Sequence, residues 1–206
     1  MAVQSGTYRG VSAEDRAAER RERLLEATLA VWADPTGARP TMTRICAQAG
    51  LTERYFYESF RSLDDALTAV MDRIATEIEE VSLAAGDAAG DDPAARARAS
   101  VLAFVEYLTA DPRKGRVAII EAGAMPGLRA RRTQLLRHFA HRSAQEARDI
   151  YGVGGWGPRE GEIAGLLFIG GMAELVSAWL DGSLEATPEE LVDAATTMFL
   201  GLHAGG

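Results

Sequence analysis

Apolar positions recur at three- and four-residue spacing along nearly the whole chain, and no stretch alternates strictly enough to compete as a strand. Leu24, Leu25, Ala27, Thr28, Val31 and Trp32 form the first such run. Ser12 and Asp15 stand ahead of it at capping-box spacing, so the pattern predicts a helix from near residue 13. Pro35, Gly37 and Pro40 end it and make a loop. Two short helices follow, over 42–49 and 53–59. Thr41 can cap the first, whose Ile45 and Ala49 share a face, and Gly50 supplies the left-handed residue that stops it. Thr52 can cap the second at once. Leu51 and Phe56 stand at the spacing of a hydrophobic staple. Two short helices joined by a tight glycine turn make a helix-turn-helix, whose second helix is the usual reader of a DNA major groove.

Beyond residue 60 the apolar rhythm lengthens. Ser62 and Asp65 repeat the capping-box spacing ahead of a long helix over 63–84. Asp92-Pro93 and Asp111-Pro112 each pair a cap with a first-turn proline, opening helices over 93–110 and 112–122. A basic helix over 129–150 carries Arg129, Arg131, Arg132, Arg137, Arg142 and Arg148. After the glycine-rich loop 152–157 with Trp156 comes a strongly apolar helix over 158–180. Thr187-Pro188-Glu189-Glu190 opens the last, over 188–203. The expected fold is all-α, about nine helices, with no internal repeat. Residues 1–12 read as a flexible arm in which Tyr8 and Arg9 can touch DNA. Residues 13–66 form a helix-turn-helix domain, and 67–206 a helical domain for ligand binding and dimerisation.

Composition changes this picture in three places. The net charge of −8 is unpromising for nucleic-acid binding, but its distribution is polar. Residues 16–61 hold eight arginines against six acids, while residues 76–206 carry twelve bases against nineteen acids. A basic amino-terminal end on an acidic body fits a DNA-reading head. Lysine occurs only at Lys114, so arginine's planar fork supplies nearly every cation. The single cysteine, Cys46, permits no internal disulfide and points to a reducing cytoplasm. The longest apolar run, 163–173, is short of the roughly 20 residues that span a bilayer, and the first ten residues lack a signal-peptide core, so no membrane association is expected.

Thr41, Ile45, Ala49, Gly50, Leu51, Thr52, Phe56, Tyr57, Phe60, Ser62 and Asp64, with Leu24 and Leu25 upstream, resemble the amino-terminal motif of the TetR family of bacterial transcriptional regulators. The match covers about residues 20–70. It departs from the family pattern at Leu63, where lysine is usual, at Cys46, where alanine is usual, and at Ser59, where histidine or tyrosine is commoner. The resemblance implies a homodimeric regulator, commonly a repressor, with a variable carboxy-terminal domain that binds a small effector.

The first turn of the second short helix faces base edges in helix-turn-helix proteins. Here it is Thr52, Glu53, Arg54 and Tyr55. Arg54 is the expected guanine reader, since its parallel donors match O6 and N7. Tyr55 can pack on a thymine methyl or reach a phosphate, and Tyr57 resembles the family tyrosine that grips the backbone. Thr41, Thr43 and Arg44 lie on or just before the preceding helix. Ser62 caps a helix whose amide end can face phosphate. Arg20 and Arg21 fit either a phosphate contact or local pairing with glutamates. Glu53 and Glu58 place negative charge near DNA and narrow tolerance for wrong sequences.

Phe104, Tyr107, Leu108, Ile120, Leu135, Phe139, Phe168 and Met172 are candidate liners of an effector pocket, with Glu121 and His138 as polar determinants alongside Glu106, His141 and Glu174. Helical patterning does not separate pocket from core. The helices over 158–181 and 188–203 carry more apolar surface than one bundle face needs, which predicts a homodimer through them. Gly165, Gly170, Gly171 and Ala173 would let helices approach closely. The expected partners are a palindromic double-stranded operator, a second copy and an unidentified small molecule. No cofactor, metal or catalytic group is expected. His138 and His141 stand three apart but lack a matched Glu-x-x-His pair, and Cys46 falls on a core face. Two rival functions are an all-α enzyme and an effector-binding or architectural protein with weak sequence-specific DNA binding. The acidic balance and Leu63 favour the latter.

Overall fold

A computed structural model describes residues 12–151 and 157–203. The arm with Tyr8 and Arg9 and the loop residues 152–156 with Trp156 lie outside the described residues. The chain divides into two compact units, residues 1–72 and 73–206. Among the described residues there are helices and no strand.

In the first unit, α1 (Ala13–Trp32) opens on the Ser12–Asp15 capping box, both reciprocal bonds being present. One of its faces buries Leu24, Leu25, Ala27, Leu29, Val31 and Trp32. Helices α2 (Met42–Ala49) and α3 (Glu53–Ser59) pack on it and on each other. The Thr41 side chain accepts the Arg44 amide at 3.3 Å, and Gly50 ends α2 with φ of 62°. Thr52 occupies the N-cap of α3 but makes no side-chain cap bond, contrary to the sequence expectation. Its hydroxyl is left at the surface. With seven residues, α3 is too short to hold itself together. Phe56, wholly buried, anchors it, with Phe60 packed at 5.5 Å between ring centres. Cys46 is buried beside Ile45, as its position on the core face of α2 led us to expect. Burial, with Glu53 adding to it, pushes its thiol pKa up, away from a reactive thiolate.

The long helix α4 (Leu63–Ala88) contains the division between units. It continues past the expected end, and at Gly86 it leaves room for the Ser100 side chain of α5: a β-carbon there would stand 2.6 Å from the Ser100 hydroxyl, which donates to the Ser82 carbonyl at 2.9 Å. In the second unit, α5 (Pro93–Ala110) starts at the Asp92 cap. The expected 112–122 helix breaks into α6 (Pro112–Gly115), a π-helical stretch (Arg116–Glu121) and α7 (Ala122–Ala124). A 3-10 turn at Pro126–Leu128 leads into α8 (Arg129–Tyr151). The last elements are α9 (Pro158–Leu180) and α10 (Pro188–His203), the latter opened by the Thr187–Glu190 capping box. α8 packs along α9, and α10 packs on α5 and α9.

Gly165 serves the α8–α9 crossing within one chain rather than a contact between copies. A β-carbon there would lie 2.2 Å from the Ala140 carbonyl oxygen. Gly171 sits against Met198 of α10, while Gly170 faces open space. The outward face of α9 exposes Ile163, Leu166 and Leu167, at 47, 44 and 58%. By length and composition alone this 23-residue helix is apolar enough to cross a membrane, a test that the core helix of a soluble protein also passes. Packing on α8 and α10 covers its other face.

Candidate nucleic-acid interface

The three-helix unit is held together by α1 gripping the ends of the two short helices. Arg23 donates to the Ala49 carbonyl at 2.6 Å, at the carboxyl end of α2. Arg21 reaches the Ser59 carbonyl at 3.4 Å, at the carboxyl end of α3, and lies 4.4 Å over the Phe60 ring. A cation at a helix carboxyl end satisfies orphan carbonyls and the dipole together. Arg20 lies 4.6 Å over the Tyr55 ring and 4.0 Å from a Glu58 oxygen. Sequence reasoning offered Arg20 and Arg21 as phosphate contacts or local glutamate pairs, and did not single out Arg23 at all. All three hold the neighbouring helices. Nothing in a run of arginines on α1 says which carbonyl each will meet.

Arg44 is also engaged inside the unit. Its guanidinium pairs with Asp34 and donates to the Ala38 and Arg39 carbonyls at 3.1 and 3.2 Å, pinning the α1–α2 loop. The Asp34 carboxyl accepts the Thr36 amide and hydroxyl as well. These bonds, ahead of Arg44, take its pKa from 3.8 to about 2. A depressed folded-state pKa stabilises above the unfolded value and loses that contribution as pH falls through the folded one. Thermal denaturation of Asp34→Asn against wild type should show a deficit at neutral pH that closes as pH falls from about 4 to about 2. A deficit independent of pH would show that the charge is not what holds the loop.

What remains on the outer face of α3 is a compact set. Glu53, Arg54, Tyr57 and Glu58 are exposed, whereas Tyr55 is half-buried under Arg20. Arg54 has 84% of its side chain exposed, and its Nε donates to Glu58 Oε1 at 3.0 Å. Tyr57 exposes 59%. Thr43 and Thr52 are exposed nearby in sequence, and Thr41 and Ser62 spend their hydroxyls on the Arg44 and Asp65 amides. The first unit therefore presents one long cation and one aromatic hydroxyl on a helix whose opposite face is locked by Phe56. Arg54 suits a base edge, Tyr57 a phosphate.

In the second unit the candidate pocket residues separate into groups. Leu108 is wholly buried, Met172 is buried, and the Phe168 ring meets Phe199 edge-on at 5.3 Å, so these three fill core. Phe104, Ile120, Leu135 and Phe139 are half-buried. The Tyr107 hydroxyl donates to Glu77 at 2.6 Å, and Lys114 donates to the same oxygen at 2.6 Å while standing 4.5 Å from the Tyr107 ring. Burial raises the Tyr107 pKa, and the Glu77 acceptor raises it further. Burial also pushes Glu77 up, but the bonds from Lys114 and Tyr107 outweigh it and hold Glu77 below the ordinary carboxyl range. His138 meets Glu79 at 2.8 Å. Glu121 pairs with Arg116 at 2.8 Å, five residues apart. That spacing lies about 140° around an α-helix, so the pair belongs to the π-helical register. Sequence reasoning missed Glu77, Lys114 and Arg116. Among the described residues no group of three or more histidine, cysteine, aspartate or glutamate side chains could hold a metal ion.

No family model matches the chain, and no curated protein matches its sequence. Solved structures do. A TetR-like transcriptional regulator from Rhodococcus sp. RHA1 superposes with a TM-score of 0.67 at 18% identity, over 92% of this chain and 98% of that one. The fatty acid degradation regulator FadR from Bacillus halodurans gives 0.70 at 18%, over 88% and 95%. A TetR-family transcriptional regulator from Bordetella parapertussis 12822 gives 0.63 at 15%, over 87% and 93%. At such identities the shared property is the fold: nearly the whole chain has the helical architecture of TetR-type regulators.

Proposed function

We propose that this chain, which has the TetR-type fold, is a sequence-specific DNA-binding transcriptional regulator: a cytoplasmic homodimer, acting as a repressor, that a small molecule releases from a palindromic operator. The observation that carries this is the exposed α3 face, where Arg54 and Tyr57 project from a helix fixed by Phe56 behind and Arg21 at its end. Such a face needs two-fold repetition to read a palindrome. The exposed Ile163, Leu166 and Leu167 stripe on α9 supports pairing with a second copy, with α10 alongside. An effector site fits best around Phe104, Tyr107, Ile120, Leu135 and Phe139, beside the π-helical stretch, an irregularity common at functional sites. An effector favouring a conformer with unsuitable head spacing would weaken DNA binding by the factor by which DNA weakens its own binding. Helix α4, which runs from one unit into the other, is the connecting lever.

The test is selection of duplexes from a random library, then anisotropy titration of the selected operator. Arg54→Ala should cost about 1–3 kcal/mol on that operator and relax preference at one position per half-site. Unchanged base preference would remove Arg54 from the reading role. A rival reading, a sequence-blind helical protein, draws on the internal engagement of Arg20, Arg21 and Arg44. It predicts that selection enriches no sequence.

A further inference from the structure

We propose that Glu58 is a specificity-determining residue of the reading head, whose carboxylate occupies Arg54 and Arg20 in the free protein and competes with DNA phosphate for them. This rests on the DNA-binding function proposed above. The carboxylate divides between two guanidinium groups. Oε1 takes the Arg54 Nε at 3.0 Å, and Oε2 faces the Arg20 Nη2 at 4.0 Å. Arg20 is stationed there by the Tyr55 ring under it. Carboxylate and phosphate oxygens accept the same charge-assisted bonds from arginine, so the acid stands in the role an incoming phosphate would take.

Helix stability does not account for this glutamate. An acid four residues after an arginine is the weaker order for such a pair. Glu58 also lies in the last turn of α3, where the helix's negative end disfavours an acid. Its consequence lies in what DNA must displace. On a wrong sequence, a screened phosphate contact does not offset the loss of Glu58, so Arg54 stays paired with the carboxylate. On the right base it exchanges one bond for two parallel bonds to guanine. Glu58 therefore subtracts more from sequence-blind binding than from operator binding, which widens the ratio between them.

The experiment compares wild type, Glu58→Gln and Glu19→Gln on a random-sequence duplex and on the selected operator across a salt series. Glu19→Gln makes the same charge change at an exposed position of α1. Glu58→Gln should bind the random duplex about fivefold more tightly, with a log–log salt slope steeper by about 0.9 for each α3 face that gains one phosphate contact. The operator should respond less, so the specificity ratio falls, and Glu19→Gln should leave the slope unchanged. An unaltered slope and affinity in Glu58→Gln, or an equal response from Glu19→Gln, overturns the role of Glu58. Absence of any wild-type sequence preference overturns the proposed function instead, and the random-duplex comparison still decides Glu58. No binding of the random duplex by either protein at low salt overturns both.

Discussion

Phe56→Ala is expected to remove about 3–5 kcal/mol from the stability of the amino-terminal unit, the usual cost of emptying a fully buried phenylalanine site. Three observations place it at the upper end. Phe56 is 0% exposed, so the whole ring volume becomes cavity. Phe60 and Tyr57 both pack on it, at 5.5 and 5.8 Å between ring centres, and lose their partner. The seven-residue α3 has no length with which to persist unaided, since isolated helices below about 12–15 residues are marginal in water. Domains of this kind hold only about 5–15 kcal/mol in total. Denaturation followed by tryptophan fluorescence, to which buried Trp32 contributes from this unit and Trp179 from the second, should show an early transition while the second unit keeps its own. A loss below about 1 kcal/mol would mean that α3 is held by something other than Phe56. DNA affinity should fall only as the folded fraction falls.

Leu167→Arg is expected to leave the subunit folded and to abolish the proposed pairing through α9. Leu167 is 58% exposed within one chain, so arginine there meets solvent in the monomer. In a paired bundle the same position would bury a charge without a counter-ion, which costs far more than the leucine contributed. Sedimentation should show a monomer with wild-type helicity. Affinity for a two-fold operator should drop by about a hundredfold or more, because the second half-site is no longer engaged as an intramolecular event. Binding to an isolated half-site should be nearly unchanged. A variant that remains dimeric with intact operator affinity would move the interface off the α9 stripe.

Much of the fold was legible because the signals for it are local. Ser12, Thr41, Asp92 and Thr187 stand beside the amides they cap, and Gly50 stands where its own backbone turns left-handed. Phe56 and Phe60 follow from helical spacing alone. Departures occurred where residue type and spacing allow a feature without enforcing it. The Thr52 side chain makes no cap bond although its residue type and place are right. The 112–122 segment has ordinary helical composition, yet carries a π-helical stretch closed by the Arg116–Glu121 pair. The candidate interface was legible in part: Arg54 and Tyr57 do stand exposed on α3, where motif spacing put them.

By itself the sequence determined most helix starts, the helix-turn-helix and the apolar excess of the last two long helices, because caps, turns and periodicity act within a few residues. Only the tertiary structure decided which charges are free and which small residues bear a crossing. Arg20, Arg21, Arg23 and Arg44 look alike in sequence, yet their partners lie as far away as Ser59 and Ala49, and it is packing that brings them together. Gly165 and Gly170 are equally small, yet one meets the Ala140 carbonyl and the other open space. A side chain's long-range partner is a property of the assembled fold, and long, flexible cations and featureless glycines carry no local mark of it.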